Sequence, residues 1–210
     1  MEIILRDIAK QFGREVVVQG VSLKLASGSR TAILGPNGSG KSTLLQLVGG
    51  ALAPTSGSIE HRTGQGAIPQ EAVYRHMSVA APYLGLYEEL SLRQTIAFHA
   101  RFKPLRNGLR PEEVAGIARL EHALEKPVRH FSSGMKQRVK LALAILSDTP
   151  LLLLDEPASN LDATAIAWYV DLLGGHLDGR TLLVASNAQQ DEFALCHDRL
   201  EVERFKALPG

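Results

Sequence analysis

Residues 35–42 read Gly-Pro-Asn-Gly-Ser-Gly-Lys-Ser, placing three glycines, two serines and a lysine within eight positions, the last serine directly after the lysine. Glycines at that spacing let successive backbone N–H groups turn toward one point and form an anion nest. The lysine adds a point charge for β- and γ-phosphates, and the last serine offers a hydroxyl to Mg²⁺. Gly35, Pro36, Asn37, Gly38, Ser39, Gly40, Lys41, Ser42 and Thr43 are therefore the expected nucleotide cradle, on the pattern G-x-x-x-x-G-K-[ST]. The four fixed positions match by chance in about 4 of 100,000 windows. A plain glycine-rich turn is accordingly the weaker reading.

A second stretch, Leu-Leu-Leu-Leu-Asp-Glu-Pro at 151–157, ends a continuous apolar run in two acids. Such a run suits a central strand of a parallel sheet, and ligands bind at the carboxyl ends of such strands. Asp155 is the expected partner of Mg²⁺, and Glu156 the group that orients or deprotonates an attacking water.

The elements that must hold these residues follow from the pattern around them. Residues 2–8, 15–25, 29–34, 56–62, 76–81, 151–157 and 181–187 read as strands. Helices are expected over 91–102, with a capping box from Ser91 to Gln94, over 110–120, with Pro111 in the first turn, and over 132–148. Another runs from 161 to 173, with Asp162 as N-cap. The helix over 132–148 is apolar on nearly all faces after Val139, as a buried helix is. Strand–helix alternation at both ends, with a helical block between, predicts an α/β fold with a helical insertion.

Composition narrows the classes. The chain has 210 residues, 45% of them apolar, and a formal net charge of +1. That is enough for a sizeable core, and no bulk positive charge marks it for nucleic acid. The single cysteine, Cys196, excludes an intrachain disulfide and reads as a small core residue in a reducing compartment; His197 beside it makes no metal cluster. No apolar run reaches the roughly 20 residues of a membrane span. A cytoplasmic protein is expected, with any membrane span supplied by another chain.

Three more segments complete a resemblance. Phe-Ser-Ser-Gly-Met-Lys-Gln-Arg at 131–138 resembles the "LSGGQ" signature of ATP-binding-cassette (ABC) ATPases, and Ser132 lies 23 residues before Asp155 (155 minus 132), as in that family. Ala-Ser-Asn-Leu-Asp at 158–162 resembles the family's D-loop. Phe12 stands where an aromatic usually stacks on adenine. The signature departs at Phe131, Ser133 and Met135 and keeps Ser132 and Gly134. For Ser133 an ordinary N-cap is a fair alternative.

The resemblance implies a single ABC ATPase domain: a P-loop NTPase (RecA-like) core with an antiparallel β subdomain, residues 1–81 and 148–210, and an inserted helical subdomain at about 82–147. It implies ATP and Mg²⁺ as ligands, with Phe12, Ser132, Ser133, Gly134 and Asp162 joining the cradle at the nucleotide. It implies ATP-driven pairing into a homodimer or heterodimer, and a transmembrane permease subunit that holds the protein on the cytoplasmic face of the membrane. Two alternatives stay open: a regulatory module that binds ATP with little hydrolysis, and a soluble ABC protein outside transport.

The family also carries a glutamine at the end of a core strand, where it touches Mg²⁺. Pro69-Gln70-Glu71 looks similar, but the register set by Leu86–Ser91 puts that position at Pro82. Gln70 precedes the strand over 76–80, so it should lie roughly 16 Å from the strand's functional end. Tyr83 is the nearest polar side chain to the gap. A histidine expected after the strand over 181–186 is Asn187, a catalytic candidate that can bond a phosphate without carrying imidazolium charge.

Overall fold

The computed structural model describes residues 1–206. The expected end of the core, residues 207–210, lies outside the described residues. Two sheets form the frame. One is antiparallel, in the order β2-β1-β4-β5, from β1 (Glu2–Phe12), β2 (Glu15–Leu25), β4 (Ser56–Thr63) and β5 (Gly66–Ile68). The other is parallel, in the order β6-β7-β8-β3-β9, from β3 (Arg30–Leu34), β6 (Met77–Ala80), β7 (Leu151–Asp155), β8 (Thr181–Ser186) and β9 (Asp198–Glu201). Between β6 and β7 the chain builds α2 (Leu92–Phe102), α3 (Pro111–Ile117) and α4 (Ser133–Leu146). Helix α1 (Lys41–Val48) follows β3, and α5 (Ala163–Gly174) joins β7 to β8. This is an α/β P-loop NTPase core with an antiparallel β subdomain and helices inserted between two strands.

Local chemistry sets the helix ends. Ser91 and Gln94 make the full capping box at α2, Pro111 opens α3, and Asp162 caps α5 by accepting the Ala165 N–H at 2.8 Å. The parallel sheet is buried on both faces, and alternation along its strands sorts its side chains. Leu152 and Leu154 join the cluster that packs α2 to α5. Leu151 and Leu153 join the other, against α1 and the antiparallel sheet. Within α4, Val139 and every residue from Leu141 to Leu146 are buried, as its uniformly apolar end predicts.

Strands β5 and β9 are not legible in the sequence. β5 is three residues long, and β9 is a charged edge paired only with β3. The segment Gln70–His76 forms a 3₁₀ turn that leads into β6.

Candidate nucleotide site

Period-2 alternation in β7 decides where the acids go. Asp155 shares the parity of Leu151 and Leu153, so it emerges on the face of the sheet covered by α1. Helix α1 begins at Lys41, immediately after the glycine loop. The Ser42 hydroxyl lies beside the Asp155 carboxylate and holds its pKa down, against burial and Glu156, which raise it; burial is the largest effect and the net shift is upward. Asp155 is 1% exposed, and neither carboxylate oxygen has a hydrogen-bond partner.

The loop is built to receive an anion. Gly40, at φ 100°, caps α1 with no side-chain acceptor, so its first N–H groups are left for a ligand. A left-handed residue here requires glycine or strain. The Lys41 ammonium donates to the carbonyls of Gly35 at 2.8 Å and Pro36 at 3.0 Å. Asn37, Gly38, Gly40, Lys41, Ser42 and Thr43 line a cavity of about 320 Å³ together with Glu156, Glu15 and Val17. Glu156 adopts a left-handed φ of 45°, its N–H bonded to the Ala185 carbonyl at 2.9 Å.

Several expected residues lie outside the wall of this cavity. Ser39 does not offer a donor to the cavity: its side chain is fully buried, and its N–H closes a turn onto the Pro36 carbonyl at 3.2 Å. Gly35 and Pro36 serve Lys41 as acceptors. Phe12, 49% exposed with the Lys10 ammonium 4.9 Å from its ring centroid, does not line the cavity; Glu15, its partner in the β1–β2 register, does. Asn187 is exposed in the loop after β8 and is not in the cavity wall.

The signature residues form a second, separate cavity. Ser132, Ser133, Gly134 and Arg138 line about 310 Å³ with Asn160, Leu161 and Asp162. Ser132, and not Ser133, is the N-cap of α4: its hydroxyl accepts the Met135 N–H at 3.2 Å. Gly134 packs so closely on Asn160 that an added Cβ would stand 3.0 Å from the Asn160 carbonyl oxygen. One chain therefore carries two cavities that it does not join. Lys41 and Glu156 face one, and Ser132, Ser133, Gly134 and Asp162 the other.

Gln70 is exposed at the amino end of β6, whose carboxyl end pairs Ala80 with Leu154 beside Asp155. It does not line the cavity, in keeping with its register. Pro82 is exposed just beyond β6. Tyr83 turns its phenol toward Gln46 and faces Asp155; burial raises its pKa first, with the Asp155 charge adding and Gln46 opposing. Gln46 escaped the sequence reading, although it lies one turn beyond Ser42 on the same face of α1. Glu15, Val17, Gln137 and Glu192 escaped it too, since each acts through contacts distant in sequence.

Cys196 is partly buried against the helical core, and burial pushes its thiol up to about 12, as suits an unreactive packing residue. No helix among the described residues is long and apolar enough to cross a membrane.

The fold, the glycine loop running into α1 and the strand acids beside it define a P-loop nucleotide-binding domain. The family model described as ABC transporter matches residues 18–159, and the chain belongs to that family. It is 34% identical over 170 residues to the sulfate/thiosulfate import ATP-binding protein CysA of Bradyrhizobium diazoefficiens, covering 78% of this chain and 49% of that protein. It is 29% identical over 201 residues to the cytochrome c biogenesis ATP-binding export protein CcmA of Rhizobium meliloti, covering 92% and 94%. A solved ATP-binding subunit of an ABC transporter superposes with a TM-score of 0.82 at 28% identity, covering 99% of this chain and 89% of that one. The chain spans about half the length of the sulfate/thiosulfate relatives it matches.

Proposed function

We propose that this chain binds and hydrolyses ATP as the nucleotide-binding subunit of an ABC transporter, powering a separate transmembrane permease through ATP-driven dimerisation. One placement carries the reading. Alternation in β7 delivers Asp155 to Ser42 and leaves Glu156 in the same cavity as Lys41. Two orphaned carboxylate oxygens beside a serine hydroxyl fit Mg²⁺, which is commonly held by one or two protein ligands and the substrate's phosphates. Among the described residues no cluster of three His, Cys, Asp or Glu could hold a metal without such help. Ser42 and Asp155 would hold the ion, and bound there it would neutralise charge on the β- and γ-phosphates.

The chain's own residues supply the rest. The N–H groups of the glycine loop and α1 bind the phosphates. Lys41 exchanges the Gly35 and Pro36 carbonyls for phosphate oxygens. Glu156 takes the proton of the attacking water as its oxygen bonds to the γ-phosphorus and the bond to the ADP oxygen breaks. The second cavity, at the start of α4, supplies N–H donors to a γ-phosphate held by a partner copy. Asn187 contributes a donor from the loop after β8, and Phe12 a face for adenine. Residues at about 82–147 form a helical subdomain. At its start, Tyr83, Leu84 and Tyr87 are exposed, and Leu86 and Tyr87 line an apolar groove of about 310 Å³ with Phe98 and Phe102. That groove receives an apolar segment of the permease, which keeps the subunit on the cytoplasmic face of the membrane.

Titration calorimetry on wild type and Lys41→Ala tests the site. Tight ATP binding that Lys41→Ala loses while its fold is intact is the expected result; unchanged affinity would remove the assignment. Light scattering with ATP and Mg²⁺ tests the pairing, with Glu156→Gln expected to trap a dimer by slowing hydrolysis. A monomer under those conditions excludes it.

A further inference from the structure

The segment that follows Glu156 is clamped from two sides. Gln137 of α4 donates through Nε2 to the Pro157 carbonyl at 2.9 Å. Glu192, in the 3₁₀ turn Gln190–Phe193 after β8, accepts the Ala158 N–H on Oε1 at 3.1 Å. Both side chains are buried, at 3% and 2% exposure. The turn bearing Glu192 is fixed in its own right: the Tyr169 hydroxyl of α5 donates to the Glu192 carbonyl at 2.8 Å. A buried carboxylate is costly wherever an apolar side chain would pack, and its neighbour Phe193 belongs to the apolar core.

The backbone around this junction explains why the clamp is needed. Glu156, Asn160 and Ala188 hold φ at 45°, 62° and 82°, a left-handed region that non-glycine residues rarely adopt. Such conformations persist only where the surroundings over-determine them. Glu156 and Asn160 lie on either side of the clamped peptide, and Ala188 follows Asn187 on the way to Glu192.

We propose that Glu192 is a positioning residue for ATP hydrolysis. Its bond to Ala158 holds the left-handed backbone that aims Glu156 into the phosphate-loop cavity, and the same turn anchors the loop carrying Asn187. Glu192 does not line that cavity and acts through Glu156. The inference rests on the ATPase reading above. It predicts that Glu192 governs turnover and not nucleotide binding, because the phosphate loop hangs from β3 and α1 and not from this junction.

The test uses Glu192→Ala and Glu192→Gln in the full chain. Glutamine keeps an acceptor for the Ala158 N–H, and alanine does not. Glu192→Ala should lower kcat about 100-fold, the effect of a roughly 1 Å misplacement of a catalytic group, with ATP affinity unchanged. Glu192→Gln should keep most of the wild-type rate. Hydrogen exchange read by NMR adds a measure independent of hydrolysis: the Ala158 amide should lose about tenfold protection in Glu192→Ala and keep it in Glu192→Gln. If Glu192→Ala fails to fold, Glu192→Asp, with its shorter reach, is expected to show the same split. Unchanged Ala158 protection, a Glu192→Gln as slow as Glu192→Ala, or affinity falling in step with kcat overturns the inference. A wild type that binds ATP without hydrolysing it sinks the ATPase reading instead, and Ala158 protection still decides whether the clamp exists.

Discussion

Asp155→Asn should make the nucleotide-free protein more stable while damaging its function. Asp155 is 1% exposed, and both of its oxygens lack hydrogen-bond partners. Leaving a buried polar group unsatisfied costs about 1–3 kcal/mol, and more when it is charged. The Ser42 hydroxyl beside it and the Lys41 charge ease that cost, and the Glu156 charge adds to it. Asparagine keeps the shape and removes the charge but leaves polar atoms of its own to partner, so a gain of about 1 kcal/mol is expected. For a chain of this size that raises Tm by roughly 2–4 °C. The measurement is a thermal melt in EDTA without nucleotide, paired with ATP titrations with and without Mg²⁺. Wild type should bind ATP more tightly with Mg²⁺, and Asp155→Asn should lose that dependence. A Tm equal to or below wild type would show that the carboxylate is satisfied in the folded protein. The strain would then not be a cost of function, and the reasoning would fail.

Asn187→His should raise kcat more than it changes KM, because added charge near the γ-phosphate acts most strongly as charge shifts in the transition state; steady-state kinetics showing no gain would mean that another group already fills that role. Acidification should destabilise the protein through His99, which burial, aided by the Lys103 charge, pushes down to about 4 from 6.5. The unfolded chain binds this proton more readily, so the stability is intact above pH 6.5 and is lost as pH falls toward about 4. Denaturant midpoints at several pH values should show a shallower decline in His99→Gln, and equal slopes would assign the decline elsewhere. Burial also lowers the pKa of His61, which bonds the Val48 carbonyl, so part of the decline should remain in that variant.

The sequence determined those features whose physics is local. A phosphate loop is legible because its chemistry needs fixed residue types within eight positions, and the caps at Ser91 and Asp162 are legible because each bond spans three residues. Strand β7 could be read because a strand buried on both faces must be apolar throughout, and its two acids mark where it meets the ligand end. Even the exclusion of Gln70 followed from the register set by Leu86–Ser91 together with strand length and direction. Tertiary structure decided the rest, because those features join residues distant in the chain. Which core cluster takes Leu153 fixes that Asp155 meets Ser42, and no pattern within either segment encodes that choice. Ser39 looks like its neighbours in the loop, yet packing turns its hydroxyl inward. Strand β9 forms only because β3 offers it an edge. The contacts of Glu192 with Ala158 and of Gln137 with Pro157 span 34 and 20 residues. Bonds of that span leave no local period in the sequence, so they exist only once the sheet and helices have brought their partners together.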